Sequence, residues 1–446
     1  MRARSFVCLL FAASLWSLGA HADAEEESPK RVPPDYDGRG GDPKEDGAGV
    51  WVGRVVLSPL YFTSEYLFRR PLGAMTKAVE HNDGFRKIYD FFIFGPDHKA
   101  GIVPIAFVEF GFVPSIGAYG FWNDAFFVPR NDVRVHLEMW PDDMWLAGSV
   151  RDRYRFDDRN AFEVRANGVH RPDQVFYGIG PETPQWHQSR YAINRFDARA
   201  GFESRFWRRS TVELDGGVRK VDTSSGEYGK DPSLEVEAAT GAFPIPYGFA
   251  RGYMGPYGRA AASIDTRRHN VNTGSGFRVE SEAESGSDFQ HGAPTGWVRW
   301  GAAATVTIDL NDRGRNLSLS VATSFADPLG TNEVPFTELA MLGGDKWMRG
   351  YFPGRLMDRS AAVAQLRYDW PVAPWLDATI QTAVGNVYGE HLQGFDGKLL
   401  RISAALGLST ATNVPLDFLV GIGTETFASG ASVDSVRVTV GVPHSF

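Results

Sequence analysis

The chain has 446 residues, with 49 glycines, 13% aromatic and 22% charged residues, a size that fits two or three ordinary domains or one large all-β body. No run of about 18 apolar residues follows the first 22, which excludes a polytopic helical membrane protein. The net charge of −8, or −10 once Arg2 and Arg4 leave with the first 22 residues, argues against a duplex nucleic-acid binder, which needs a basic face.

Arg2 and Arg4 form a basic n-region, SFVCLLFAASLWSLGA an apolar core, and Ala20-His21-Ala22 an A-x-A cleavage site before Asp23. These are the parts of a secretory signal over residues 1–22. A membrane-anchoring helix is the alternative, but the core is short and DAEEE is a poor stop-transfer flank. The single cysteine, Cys8, lies inside that core, so the exported chain has no disulfide, no cysteine-based metal site and no lipidated cysteine. Residues 23–50 hold thirteen acids and bases among prolines and glycines and read as a disordered acidic periplasmic tail. Over 51–98, Leu57, Leu60, Tyr61, Tyr66, Leu67, Leu72, Val79 and Phe85–Phe92 recur at roughly helical spacing. They predict two or three short amphipathic helices that lie on a membrane surface or pack against the next domain.

From residue 99 the period becomes two. In Val298–Leu310 the set Val298, Trp300, Ala302, Ala304, Val306, Ile308 and Leu310 alternates with Arg299, Gly301, Ala303, Thr305, Thr307 and Asp309, the signature of a strand with one apolar and one polar face. Such strands run to about ten residues or more, the length that crosses a bilayer at a tilt. Their polar faces carry ionisable rows: Arg134, His136 and Glu138; Arg195, Asp197, Arg199 and Glu203; Arg278, Glu280, Glu282 and Glu284. Those rows suit a wet lumen. The chain closes with Val438, Val440 and Val442 on the same face as Phe446, as a bacterial outer-membrane closing strand does. Backbone groups in lipid must all be paired, so the strands close into a barrel. Sixteen strands are predicted, from 101–110 through 315–326 and 360–371 to 435–446, an even number as bacterial barrels require. The fold class is all-β: a sixteen-stranded antiparallel transmembrane barrel over 99–446, preceded by short periplasmic helices.

One of the longest loops, 327–359 between strands eleven and twelve, contains LGGDKWMRGYFPGR at 342–355. Here the chain resembles the BamA/TamA/FhaC superfamily (bacterial surface antigen family), outer-membrane barrels that insert or translocate proteins. That family's sixth extracellular loop folds into a sixteen-stranded lumen and carries an arginine-glycine-aromatic tip, matched by Arg349-Gly350-Tyr351 after Gly343-Gly344-Asp345. FYGIG at 176–180, Asp265-Thr266-Arg267 and RISAALGLST at 401–410 are also similar. The resemblance implies a lumen loop fixed by a guanidinium that bonds an inward carboxylate bidentately.

The chain also departs from the family. The aspartate usual on strand thirteen falls at Ala383, which leaves Asp377, Glu425 or Gln381 as partners for Arg349, and strand twelve has Arg367-Tyr368-Asp369 with its charges exchanged. Only residues 23–98 precede the barrel, without the three-stranded pattern of a POTRA domain, so the chain resembles a POTRA-less member.

No H-E-x-x-H, Walker loop, dinucleotide fingerprint or G-x-S-x-G occurs; no enzyme activity, cofactor or metal is expected. The resemblance implies insertion or translocation of proteins, or of lipids, at the outer membrane, with Pro104 on strand one and Gly441 and Pro443 on the last thinning a seam. Implied partners are outer-membrane lipids and lipopolysaccharide, client outer-membrane proteins, and a separate periplasmic protein docked on the helices. The alternative is a gated or passive channel plugged by the loop bearing Arg349.

Overall fold

The computed structural model describes residues 91–442, apart from 95, 96, 98, 142–144, 268–273, 292–294, 311–313, 374–375 and 411–415. The signal peptide, the acidic tail and nearly all of the expected helices lie outside the described residues, as do Cys8 and Phe446. No helix among the described residues is long and apolar enough to cross a membrane.

Sixteen strands form the barrel: β1 (Ala100–Glu109), β2 (Ser115–Asn123), β3 (Asn131–Trp140), β4 (Trp145–Arg155), β5 (Asn160–Phe176), β6 (Ser189–Trp207), β7 (Ser210–Ser225), β8 (Tyr253–Asp265), β9 (Gly276–Asp288), β10 (Thr295–Asp309), β11 (Asn316–Leu329), β12 (Ser360–Ala373), β13 (Leu376–Tyr388), β14 (Arg401–Thr410), β15 (Asp417–Thr424) and β16 (Val433–Gly441). Each pairs antiparallel with its neighbours in sequence, and β16 returns to β1 to close the ring. Pairing of the last strand with the first closes the sheet, which is what a strand-built membrane span requires. The strand count is the one the alternation predicts. Strands β5 to β7 run past their expected ends at 171, 204 and 221 because the pairing continues beyond the strictly alternating stretch, through a bulge between Arg171 and Gln174.

Alternation sorts side chains as lipid and water demand. On β10, Trp300, Val306 and Ile308 are exposed outward while Thr307 and Asp309 are buried inward. The long connections 177–188, 226–252, 330–359 and 389–400 all lie at one end of the barrel, the loop end. Three connections depart from long at the loop end and short at the turn end: 110–114 and 141–144 at the loop end are short, and 266–275 at the turn end is long.

The core lies within the lumen. The 330–359 loop forms a hairpin, Ala340–Leu342 pairing antiparallel with Leu356–Asp358. Its Leu342, Met348, Tyr351 and Leu356 pack against Ala303, Ala322, Ala361, Val363 and Ala383 of β10 to β13. Small inward residues on those strands make the room the loop fills. Nearer the loop end, Phe336 and Met357 join Phe176, Tyr191, Tyr253, Trp297 and Leu234 of helix α1 (Leu234–Ala239) in a second cluster.

Candidate functional site: a lumen loop strapped across the barrel beside a short seam

The tip of the loop lies main chain to main chain on the wall. A Cβ at Gly350 would sit 2.0 Å from the Ile422 carbonyl oxygen, and one at Gly421 would sit 2.9 Å from Gly350 Cα. Gly423 leaves its place to the Tyr351 ring. The Gly350 amide donates to Ser403 Oγ at 2.8 Å, and Ser435 Oγ donates to the Gly350 carbonyl at 2.6 Å. The Tyr351 hydroxyl donates to the Thr424 carbonyl at 2.6 Å, with the Ile402 carbonyl at 3.0 Å, and accepts from the Thr424 amide at 2.7 Å. Both tip residues are therefore buried with their polar groups satisfied.

The guanidinium that fixes the loop is Arg355. It meets Asp434 at 2.6 and 2.9 Å, donates to Thr183 Oγ1 and the Thr183 carbonyl at 2.8 Å, and lies 4.3 Å from the centre of the Tyr177 ring. Arg355 and Asp434 are both fully buried, a two-point geometry suited to guanidinium and carboxylate. Tyr177 comes from the FYGIG segment, and Gly180 of the same segment donates its amide to the Met357 carbonyl at 3.0 Å, so that motif braces the loop.

Arg349 differs from expectation. Among the described residues it makes no hydrogen bond or ion pair, its Nε is buried without a partner, and its guanidinium passes over Gly407. The carboxylates considered for it are engaged or elsewhere. Arg367 and Asp369 pair with each other at 2.8 Å, preserving the local pair, and Thr379 donates to Asp369. Gln381 donates to Gln365 at 2.6 Å, Glu425 pairs with Arg401 at 3.1 Å, and Asp377 stands at the turn end opposite Pro371 and Ser409. Ala383, the position at which the resemblance implied an aspartate, packs in one cluster with Met348 and Tyr351 and offers no acceptor.

A second strap reaches the opposite wall. Glu338, at the loop's entry, is wholly buried against Arg219 at 3.1 Å and Arg299 at 3.0 Å, and accepts from the Tyr253 hydroxyl. Burial pushes its carboxyl up, but Arg299, Arg219 and Arg195 outweigh burial and hold it below the ordinary glutamate value. Arg219 also bonds Asp197 at 3.0 Å and Glu284 at 2.7 Å, drawing two of the expected lumen rows into one network.

The seam lies beside the tip. The β16–β1 register joins Thr439 to Glu109, Val440 to Val108 and Gly441 to Phe107, bounded by Phe110 N to Val438 O and Val442 N to Ala106 O, both 3.0 Å. Gly441 has φ +137°, and a Cβ there would meet the Ala106 carbonyl at 2.0 Å, so the closing strand bends where only glycine fits. Val440 is exposed outward and Val438 half-buried. Across the seam, Arg437 bonds Glu109 at 2.6 Å, both residues buried, and the same guanidinium bonds Asp345 and the Gly344 carbonyl of the loop at 2.8 Å each. Gly343 and Gly344 turn the chain there with φ +109° and +80°.

Glu338, Arg355, Asp434, Arg437 and Glu109 went unremarked in the sequence. Parity places Glu109 and Arg437 inward on strands that must meet, but only the β16–β1 register brings the two together. Elsewhere, Asp327, Glu390 and His391 bring potential ligand atoms within 4.8 Å of one another, but Arg359 already pairs with Asp327 and Glu390.

Residues 146–417 match the Omp85 superfamily domain. The fold resembles that of BamA from Haemophilus ducreyi lacking POTRA domains 1–3, at 14% identity and a TM-score of 0.52 over 77% of this chain and 70% of that one. It also resembles CdiB from Escherichia coli, at 12% identity and a TM-score of 0.51 over 76% and 62%. No curated protein matches the chain by sequence. With the closed sixteen-stranded barrel and a domain match over more than half its length, the chain belongs to the Omp85 superfamily.

Proposed function

We propose that this protein inserts or translocates client proteins, or lipids, at the bacterial outer membrane by opening its β1–β16 seam, with the lumen loop governing that opening. The observation that carries this reading is Arg437, which bonds Glu109 across the seam and Asp345 and Gly344 in the loop. An edge that opens templates an added strand through main-chain hydrogen bonds. Membership of Omp85 and likeness to BamA support a role in insertion or translocation in general. On this reading residues 1–22 direct export and are removed, the outward face meets lipid and lipopolysaccharide, and residues 51–98 receive a separate periplasmic partner. The test joins cysteines at Val108 and Val440, which face each other across the seam, with a short bifunctional thiol reagent. Loss of particular barrel proteins from the outer membrane at unchanged synthesis is expected; full function while locked refutes the reading.

A second reading, a gated channel, draws on the strap at Glu338, which holds the loop across the lumen as a plug would. It predicts higher conductance in planar bilayers for Glu338→Gln, and equal silence of both forms counts against it.

A further inference from the structure

The edge of β1 that forms the seam holds a second occupant. One edge of β1 pairs with β2 along Ala100–Phe107, so whatever else pairs with those residues lies on the seam side. There β16 takes Phe107–Glu109, and at the turn end the two-residue strand Ile93–Phe94 pairs antiparallel with Gly101 and Ala100. Residues 102–105 of β1 lie between these two occupants of the edge. Ile93 and the closing strand therefore share one edge, end to end along it.

The fit at this point is close. Ile93 is buried and shares the inward face with Gly101, while Phe94 faces outward and is half exposed. A Cβ on Gly101 would lie 2.9 Å from the Phe92 carbonyl oxygen and 2.5 Å from the Phe121 ring, so the missing side chain is what admits the segment. Asn123 N donates to the Lys99 carbonyl at 2.7 Å, which holds the entry of β1 against β2 while its other edge takes Ile93 and Phe94. The segment's sequence, FFIF at 91–94, puts an aliphatic group toward the lumen and an aromatic one toward lipid, the pattern any strand in that place must have.

We propose that Ile93–Phe94 is a resident edge strand. It satisfies the main chain at the turn end of the β1 edge and must leave before an incoming extended segment can pair along the whole of β1. The partner it stands in for is an antiparallel strand with an aliphatic residue opposite Gly101 and an apolar residue facing lipid beside Ala100. An uncovered edge is a template for unwanted pairing, and covering it with a short strand keeps it blocked yet displaceable. This inference rests on the seam reading and adds to it the element that guards the seam.

The test uses the full chain in nanodiscs and a labelled synthetic peptide, TVTVTVTVIF, whose antiparallel pairing from Glu109 back to Ala100 sets its isoleucine opposite Gly101 and its phenylalanine opposite Ala100. Cysteines at Phe94 and Ala100, joined by a short thiol reagent, lock the segment in place; the same sample before joining is its own folding control. Peptide binding is expected to fall about tenfold or more on locking, roughly 1.4 kcal/mol per decade, and to strengthen in Ile93→Asp, which removes the buried anchor. Equal binding before and after locking overturns the proposal. A client-insertion assay then separates the two ideas. If the Phe94–Ala100 lock leaves insertion intact while the Val108–Val440 lock abolishes it, the resident strand falls and the seam reading stands. If neither lock matters, both fall.

Discussion

Replacing Arg437 with methionine keeps an unbranched apolar stem while deleting the guanidinium with its charge and donors. Glu109, 3% exposed, then loses its 2.6 Å partner, and stranding one member of a buried ion pair costs about 3–5 kcal/mol. Asp345 is 61% exposed at its side chain, so its share is small, roughly 0–1 kcal/mol. Each backbone hydrogen bond bounding the seam contributes about 0.5–1.5 kcal/mol net. One side chain thus matches or exceeds the two bonds from Phe110 and Val442 together. Arg437→Met should lower the yield of thiol joining between cysteines at 108 and 440, and should lower the temperature at which the folded barrel loses its compact electrophoretic mobility. The Glu109→Gln, Arg437→Met double variant should recover much of the thermal loss, because no bare carboxylate remains. Unchanged joining and unchanged thermal mobility in Arg437→Met would refute the claim that this guanidinium holds the seam.

Four further outcomes follow from the loop. Tyr351→Phe leaves the Thr424 amide without its acceptor and should cost about 1–3 kcal/mol, read as faster protease cutting within 343–355. Gly350→Ala should be worse, since its Cβ has no space beside Ile422 O. Arg349→Ala, by contrast, should leave cutting unchanged, because no carboxylate receives Arg349 among the described residues; increased cutting would show a partner in the working protein. Acid should release the strap at Glu338. Its folded value lies below the unfolded one, so its stabilisation is present above the ordinary glutamate value, about 4.3, and is lost only as pH falls through the lower folded value. Conductance should therefore stay flat from neutral pH to about 4.3 and rise only as pH falls further, whereas Glu338→Gln is expected to conduct at neutral pH.

Much of the barrel was legible because lipid outside and water inside impose a two-residue period over long strands. Val298 to Val306 on β10 illustrate this, and their pairing with β9 and β11 runs unbroken. The loop was legible through Gly343-Gly344-Asp345 and Arg349-Gly350-Tyr351, at the connection that the strand count required. Its anchoring was not. Arg355 stood inside the same motif, but its partner Asp434 lies 79 residues away in sequence on another strand. Arg437 and Glu109 are separated by 328 residues. No local spacing reports such a pair; it appears only once β16 is registered against β1. Glu338 carried no signal of its own, being one acid in a long loop, and its burial follows from arginines on three different strands.

The meeting of Gly350 with Gly421 has a consequence for how this interface tolerates change. A cavity between two side chains can be repaired by enlarging one as the other shrinks. Here both partners are already at the smallest size, and the atoms in contact are main chain on either side. Substitution at either position has no complementary substitution at the other, so the pair cannot drift together. The seat of the tip therefore depends on glycine at both positions at once.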